Sequence, residues 1–175
     1  MTKTINKALA SESRELSATA VTQHDSVDDL DSADLYTEAQ VVELMENALP
    51  FNVHLGIKAH HFERGCITLR LEPKPEFVGD PVRPALHGGL IATLADTAAG
   101  MAVFSIIKRS YTTSTIDLRV DYLRPGAVDQ ALFARSKVIR QGRRVCVIHT
   151  TLYQEDIETP IAMSSATYSI IEARS

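Results

Sequence analysis

Two periodicities divide the chain, and one segment obeys neither. Val41, Val42, Leu44, Met45 and Leu49 fall on one broad helical face, with Thr37 placed to cap its start and Pro50 to end it. Ile67, Leu69 and Leu71 alternate with Thr68, Arg70 and Glu72, the pattern of a half-buried strand, and Gly65 marks the turn before it. "PKPEFVGDPVRP" reads as a loop, because its prolines and glycine leave few donors or regular dihedrals for anything else. Beyond residue 110 the period is two again. Ile116, Leu118, Val120 and Tyr122 alternate with Asp117, Arg119 and Asp121 until Pro125-Gly126 stops the strand. "ALFARSKVIR" and "VCVIHTTLYQ" predict two further strands joined by a turn at Gln141–Arg144, and "PIAMSSATYSII" predicts the last. The exception is Pro84–Ser105, "PALHGGLIATLADTAAGMAVFS", which is apolar nearly all round and carries one charge, Asp96. It predicts a helix of about five turns whose end, near Lys108 and Arg109, suits the negative end of the helix dipole.

A helix apolar on every side must be surrounded. A curved antiparallel sheet wrapped around it meets that demand and places the chain in the α+β class. The 175 residues support one domain, and 45% hydrophobic content without tryptophan makes its core aliphatic. Residues 1–35 lack a sustained apolar stripe and predict a flexible acidic tail, with at most a weak helix over Lys7–Leu16; the folded domain is expected over 36–175. The tail holds three basic and seven acidic side chains, so it accounts for the whole net charge of −4. A neutral body with an acidic leader has no basic excess to bind nucleic acid. No apolar run has membrane-spanning length and no export signal is visible, so a cytoplasmic protein with Cys66 and Cys146 reduced is expected. The His60-His61 pair has no HExxH or CxxC spacing beside it, and no metal site is expected.

"LHGGLIATLADTAAG", followed about twenty residues later by "IDLRVDYLRPG", resembles the hotdog-fold acyl-CoA thioesterases, and among them the PaaI-like branch of the 4-hydroxybenzoyl-CoA thioesterase superfamily. The likeness spans roughly Tyr36 to Ile171. It implies a sheet wrapped around the long helix, homodimers that often pair into tetramers, and acyl-CoA as substrate, with coenzyme A entering only as part of it and no separate cofactor. It implies Asp96 as the catalytic carboxylate, the Gly88 backbone N–H as oxyanion donor with His87 beside it, and Thr115 as a hydroxyl that helps position water. Relatives often carry Asn or Gln about six positions before the His; Pro81 stands there in this chain, and the adjacent Asp80 is a different group.

The residue chemistry is compatible with that resemblance. A helix start offers unpaired N–H donors and the positive end of a dipole, and Gly88 and Gly89 allow close backbone approach to a carbonyl. They can equally serve a tight helix start. Asp96 in mid-helix has no cap to serve, and an unpaired buried carboxylate is costly, so it must face a polar pocket, a partner or the helix's one wet edge. It could act as nucleophile or as general base. Eight residues of helix separate Gly88 from Asp96 by about 12 Å. Thioester hydrolysis needs donor and attacker within about 3–3.5 Å of one carbon, so two antiparallel copies sharing two sites are expected. His87 either touches substrate or only fixes the glycines through backbone hydrogen bonds. Strict alternation points Thr115 away from the apolar face unless the strand bulges there, and Ser114 is the fallback. Arg83, Arg124, Arg143 and Arg144 lie in loops or turns from which one or two could reach the phosphates of coenzyme A, with Arg143 and Arg144 the preferred pair. A hotdog dehydratase or hydratase pairing His87 with Asp96 and a non-catalytic acyl-CoA sensor are the competing functions.

Overall fold

The computed structural model describes residues 32–173, so residues 1–31 of the expected 1–35 tail, with the weak Lys7–Leu16 helix, lie outside the described residues. Thr37 caps α1 (Glu38–Glu43) as expected, its hydroxyl accepting from the Gln40 N–H while the Gln40 side chain accepts from the Thr37 N–H. The helix continues as a π-helical turn over Leu44–Ala48. Pro50 ends this helix as the sequence reading expects, but it also starts another that was not expected. It forces Leu49 into an extended conformation and then occupies the first position of a second helix, α2 (Pro50–Leu55), where its missing N–H costs nothing. Gly56, at φ 78°, closes α2 in the left-handed region.

Eight strands are described, the expected pair before the long helix and the expected run of four after it, together with two short ones that were not expected. They are β1 (Lys58–Glu63), β2 (Cys66–Leu71), β3 (Val78–Asp80), β4 (Ala85–Leu86), β5 (Tyr111–Tyr122), β6 (Leu132–Gln141), β7 (Val145–Tyr153) and β8 (Ala162–Glu172), with the long helix α3 (Gly88–Phe104) between β4 and β5. Six strands form one antiparallel sheet in the order β1-β2-β6-β7-β8-β5. The proline-rich segment is more than a loop. A 3-10 turn at Pro75–Phe77 leads into β3, which pairs with β4 to form a small clasp ahead of α3.

The sheet wraps α3 as the all-round apolarity demands. Leu94, Ala95, Ala98, Ala99, Ala102 and Val103 are fully buried. On the sheet side Leu69, Ala134, Leu152 and Ala162 share the larger core cluster with the helix, and Ile148, Ala166 and Tyr168 the smaller one. Strict alternation breaks in two places. Thr68 is buried although it stands on the outward face of β2, with Arg70 exposed two residues on. Ile116 and Tyr122 are exposed, because β5 is an edge strand and carries a bulge between Thr115 and Asp117. The end of α3 is served by other groups than expected. Arg64 Nη1 donates to the Ser105 carbonyl oxygen at 2.8 Å. Arg109 instead holds the carbonyls of Ala33 and Leu35, and Lys108 pairs with Asp34. Leu35, assigned to the tail from sequence, is buried there. Cys66 and Cys146 are buried free thiols, and burial pushes the Cys146 thiol up to about 11.

Candidate active site

The start of α3 is fixed from three directions. The His87 N–H donates to the Phe77 carbonyl at 2.8 Å, and the Leu86 N–H to the Gly126 carbonyl at 3.0 Å. Gly79 on β3 crosses His87 so closely that a Cβ there would lie 2.5 Å from the His87 Cα, so the clasp requires glycine. From β5, the Tyr122 hydroxyl donates to the Gly88 carbonyl oxygen at 2.9 Å.

His87 is the N-cap of α3, and its Nδ1 accepts from the Gly89 N–H at 2.9 Å. Imidazole does not rank among the usual capping groups, but a ring nitrogen with a free lone pair meets the same need. Two consequences follow. The neutral ring that caps carries its proton on Nε2 and can donate there. The Gly89 N–H is spent on the cap, and the Leu90 N–H goes to the His87 carbonyl at 3.0 Å. Among the described residues none accepts from the Gly88 N–H, which leaves it as the free donor at the helix start.

Asp96 lies two turns further along, half-buried on the α3 face turned towards β5 and β8. The bulge at Ile116 turns Thr115 inward, and its Oγ1 donates to Asp96 Oδ1 at 2.9 Å. Ser114 does not substitute for it; its carbonyl accepts from Ser169 Oγ. A second donor escaped the sequence reading. The Tyr168 hydroxyl sits 2.6 Å from Asp96 Oδ1 and 2.6 Å from the Asp96 carbonyl oxygen. Tyr168 is 3% exposed, and its ring packs on Gly100, where a Cβ would stand 3.3 Å from Cε1. Burial, and then the hydrogen bond and charge of Asp96, push the phenol well above its ordinary range, so it remains a protonated donor. No described residue donates to Asp96 Oδ2.

The remaining candidates divide by position. Pro81 is exposed, and Asp80 is engaged in its own turn, accepting from the Val82 and Arg83 N–H groups at 2.9 and 3.1 Å. Those two bonds, that from Arg83 first, hold its carboxyl below the usual range. Its Oδ1 is therefore committed to that turn, and Pro81 has no side-chain donor to offer where the resemblance leads one to expect Asn or Gln. Arg83 pairs loosely with Asp80 at 3.5 Å, and Arg124 follows β5 beside the α3 start. Arg143 and Arg144 sit on the β6–β7 turn, where the Arg144 carbonyl accepts from the Ile170 N–H, two residues beyond Tyr168. No carboxylate among the described residues pairs with Arg124, Arg143 or Arg144. One chain thus gathers His87, Gly88 and Gly89 at one point and Asp96, Thr115 and Tyr168 at another, about 12 Å of helix away.

The model of the thioesterase superfamily matches residues 84–161, from the approach to α3 to the start of β8. The medium/long-chain acyl-CoA thioesterase YigI of Salmonella typhimurium is 37% identical over 74% of this chain and 91% of its own length. The chain belongs to the thioesterase superfamily. YigI of Escherichia coli K12 is 36% identical over the same shares. Among solved structures, thioesterase HI1161 of Haemophilus influenzae matches this superfamily member with a TM-score of 0.70, covering 80% of this chain and 94% of that one at 24% identity. A thioesterase-superfamily protein of Shewanella oneidensis does so at 0.64, with 29% identity and coverage of 75% and 93%. The hotdog arrangement expected from the resemblance is the one observed. Among the described residues no helix is long and apolar enough to cross a membrane.

Proposed function

We propose that this superfamily member hydrolyses acyl-CoA thioesters in the manner of the PaaI-like branch, with medium- to long-chain aliphatic acyl groups as substrates. The observation that carries the reading is the pair of free groups left by otherwise saturated hydrogen bonding: the Gly88 N–H at a helix start, and Oδ2 of Asp96. These are the two elements that thioester hydrolysis requires, a donor for the developing oxyanion and a carboxylate to activate water or attack directly. The chain-length class rests on YigI, named for medium/long-chain acyl-CoA in two bacteria at 36–37% identity.

The two groups work on one carbonyl only if two copies of the chain meet. The β5 edge suits that meeting. It is twelve residues long and unpaired outward, with Ile116 at 59% and Tyr122 at 54% exposure, an edge that a monomer leaves open to association. A twofold axis beside β5 would bring the Gly88 N–H of one copy to the Asp96 of the other. The thioester oxygen then accepts from the Gly88 N–H and from the proton on His87 Nε2. Asp96 Oδ2 either attacks the carbonyl carbon, expelling the coenzyme A thiolate and forming a mixed anhydride that water then hydrolyses to regenerate the carboxylate, or takes a proton from an attacking water and passes it to the departing thiolate; in both routes water supplies the proton of the released thiol. Arg143 and Arg144 accompany Asp96 and Arg83 and Arg124 accompany Gly88, so one composite site draws cations for the phosphates from both copies. Pairing of dimers into tetramers is compatible with the exposed outer sheet face.

Thiol release across short, medium, long and aryl acyl-CoAs tests the reading. Turnover rising from short to medium and long chains supports it. Turnover confined to aryl-CoA overturns the substrate class, and a change in enoyl absorbance without thiol release overturns hydrolysis in favour of a hydratase.

A further inference from the structure

Both donors to Asp96 converge on the same oxygen. Thr115 Oγ1 reaches Oδ1 at 2.9 Å from β5, and Tyr168 Oη reaches it at 2.6 Å from β8. Tyr168 also lies 2.6 Å from the backbone carbonyl oxygen of the same residue, so its single proton is shared between the two acceptors. A carboxylate on a mid-helix aspartate has two free torsions. A buried phenol that grips one oxygen together with the local backbone removes both, because the ring cannot move without displacing the core. The ring is 3% exposed and abuts Gly100, one turn beyond Asp96, where a Cβ would stand 3.3 Å from Cε1. Cys146 of β7 lies directly opposite in the ladder. We propose that Tyr168 is a positioning residue that, with Thr115, locks Oδ1 of Asp96 and leaves Oδ2 as the reactive oxygen. This rests on the thioesterase reading for its catalytic meaning, but the clamp itself is a property of the folded chain.

The clamp predicts a division of labour. Thr115 stands on an exposed edge strand, and its hydroxyl also has access to water, so its loss is partly made good by solvent. Tyr168 is sealed in the core, and nothing replaces it. Its bond reaches a charged acceptor, the stronger class of hydrogen bond, so its removal reads as a larger loss in turnover than in substrate affinity.

Tyr168→Phe tests this while keeping the ring that packs on Gly100. The expected result is kcat lowered about 10- to 100-fold with KM within about twofold, and a smaller kcat loss for Thr115→Val. Wild-type kcat in Tyr168→Phe, or a loss carried by KM alone, overturns the assignment. A second readout needs no turnover. With tyrosine labelled at the ring carbon bearing oxygen, Asp96→Asn should move the Tyr168 resonance at neutral pH, because the phenol loses its carboxylate acceptor, and leave the other four tyrosines in place. An unmoved Tyr168 resonance overturns the clamp even if the wild-type enzyme is active. A moved resonance, with no thiol release from any acyl-CoA by the wild-type protein, keeps the clamp and removes the thioesterase reading.

Discussion

The two edges of the main sheet are treated in opposite ways. β1 is six residues long and bulged between Ala59 and His61, and its Ala59 N–H is taken up by its own chain. Glu46, at the π-helical turn, accepts from the Ala59 N–H at 2.8 Å and pairs with Lys58 at 2.9 Å. β5 is twice as long, and among the described residues nothing covers it; Ile116, Tyr122 and Leu123 are more than half exposed along it. Short, bulged, charged and covered edges are the usual protection against unwanted pairing. β1 is short and covered; β5, although it too is bulged and carries Asp117, Arg119 and Asp121, is long and uncovered, and this open edge carries Thr115 beside Asp96. The difference teaches where a second copy can dock: β1 is held by its own chain, whereas β5 lies open beside the proposed site.

Substitutions on the two sides should therefore fail differently. Asp96→Ala is expected to lower kcat at least about 1,000-fold without unfolding the protein, as measured by thiol release alongside thermal melting. Ile116→Asp places a charge on the open edge. It should give a monomer by sedimentation and at least about a 100-fold loss of activity, although Ile116 touches no substrate in the proposed site. On the closed side, Glu46→Ala should remove about 1 kcal/mol of stability in urea melts while kcat stays unchanged, because it strands the Ala59 N–H and an exposed ion pair.

The pH dependence of stability sharpens the same contrast. Burial opposes ionisation of Glu46, but the bonds from Lys58 and Ala59 outweigh it and hold its carboxyl below the ordinary 4.5. That contribution is present above pH 4.5 and is lost as pH falls through the lowered value, so Glu46→Gln should flatten the acid limb. On the β7–β8 side the sign reverses. Burial raises Cys146 from 9.0 to about 11 and raises Tyr168 too. Stability is fully present below pH 9.0 and falls by about 1–3 kcal/mol towards pH 11, and Cys146→Ala should flatten the start of that decline.

Periodicity made most of the fold legible. The 17-residue central helix, the strands from β5 to β8 and the Thr37 cap follow from spacing and capping chemistry. Pro50 stops the first helix as read, but α2 was not foreseen, because a proline that stops one helix is also well placed to begin the next. The β3–β4 clasp was hidden among prolines, since two-residue pairings leave no periodic trace. At the site, Asp96 stood out as the one charge in an apolar run, and the conditional reading of Thr115 anticipated the bulge that aims it. Tyr168 was missed although a signal existed. It occupies an inward position of β8 between Ala166 and Ile170, and a buried phenol needs an acceptor. Gly79 could not be read at all, because its need arises from a backbone crossing between residues that only the fold brings together. Gly88 and Gly89 looked equivalent in sequence, and it is the His87 cap that separates them.

The central claim is that one active site draws on two chains, and subunit mixing tests it most directly. Gly88→Pro deletes the N–H of the proposed oxyanion donor at a position where proline suits a helix start; a Cβ there would meet the Tyr122 ring at 3.4 Å, ordinary contact, and His87, at φ −63° and ψ 128°, already has the backbone that a following proline requires. Gly88→Pro and Asp96→Ala chains, each inactive alone, are unfolded together, refolded and checked for mixed dimers by native mass spectrometry. Random pairing makes half the dimers mixed, each with one intact site, so about a quarter of the wild-type activity should return. Mixed dimers that remain inactive would contradict the shared site.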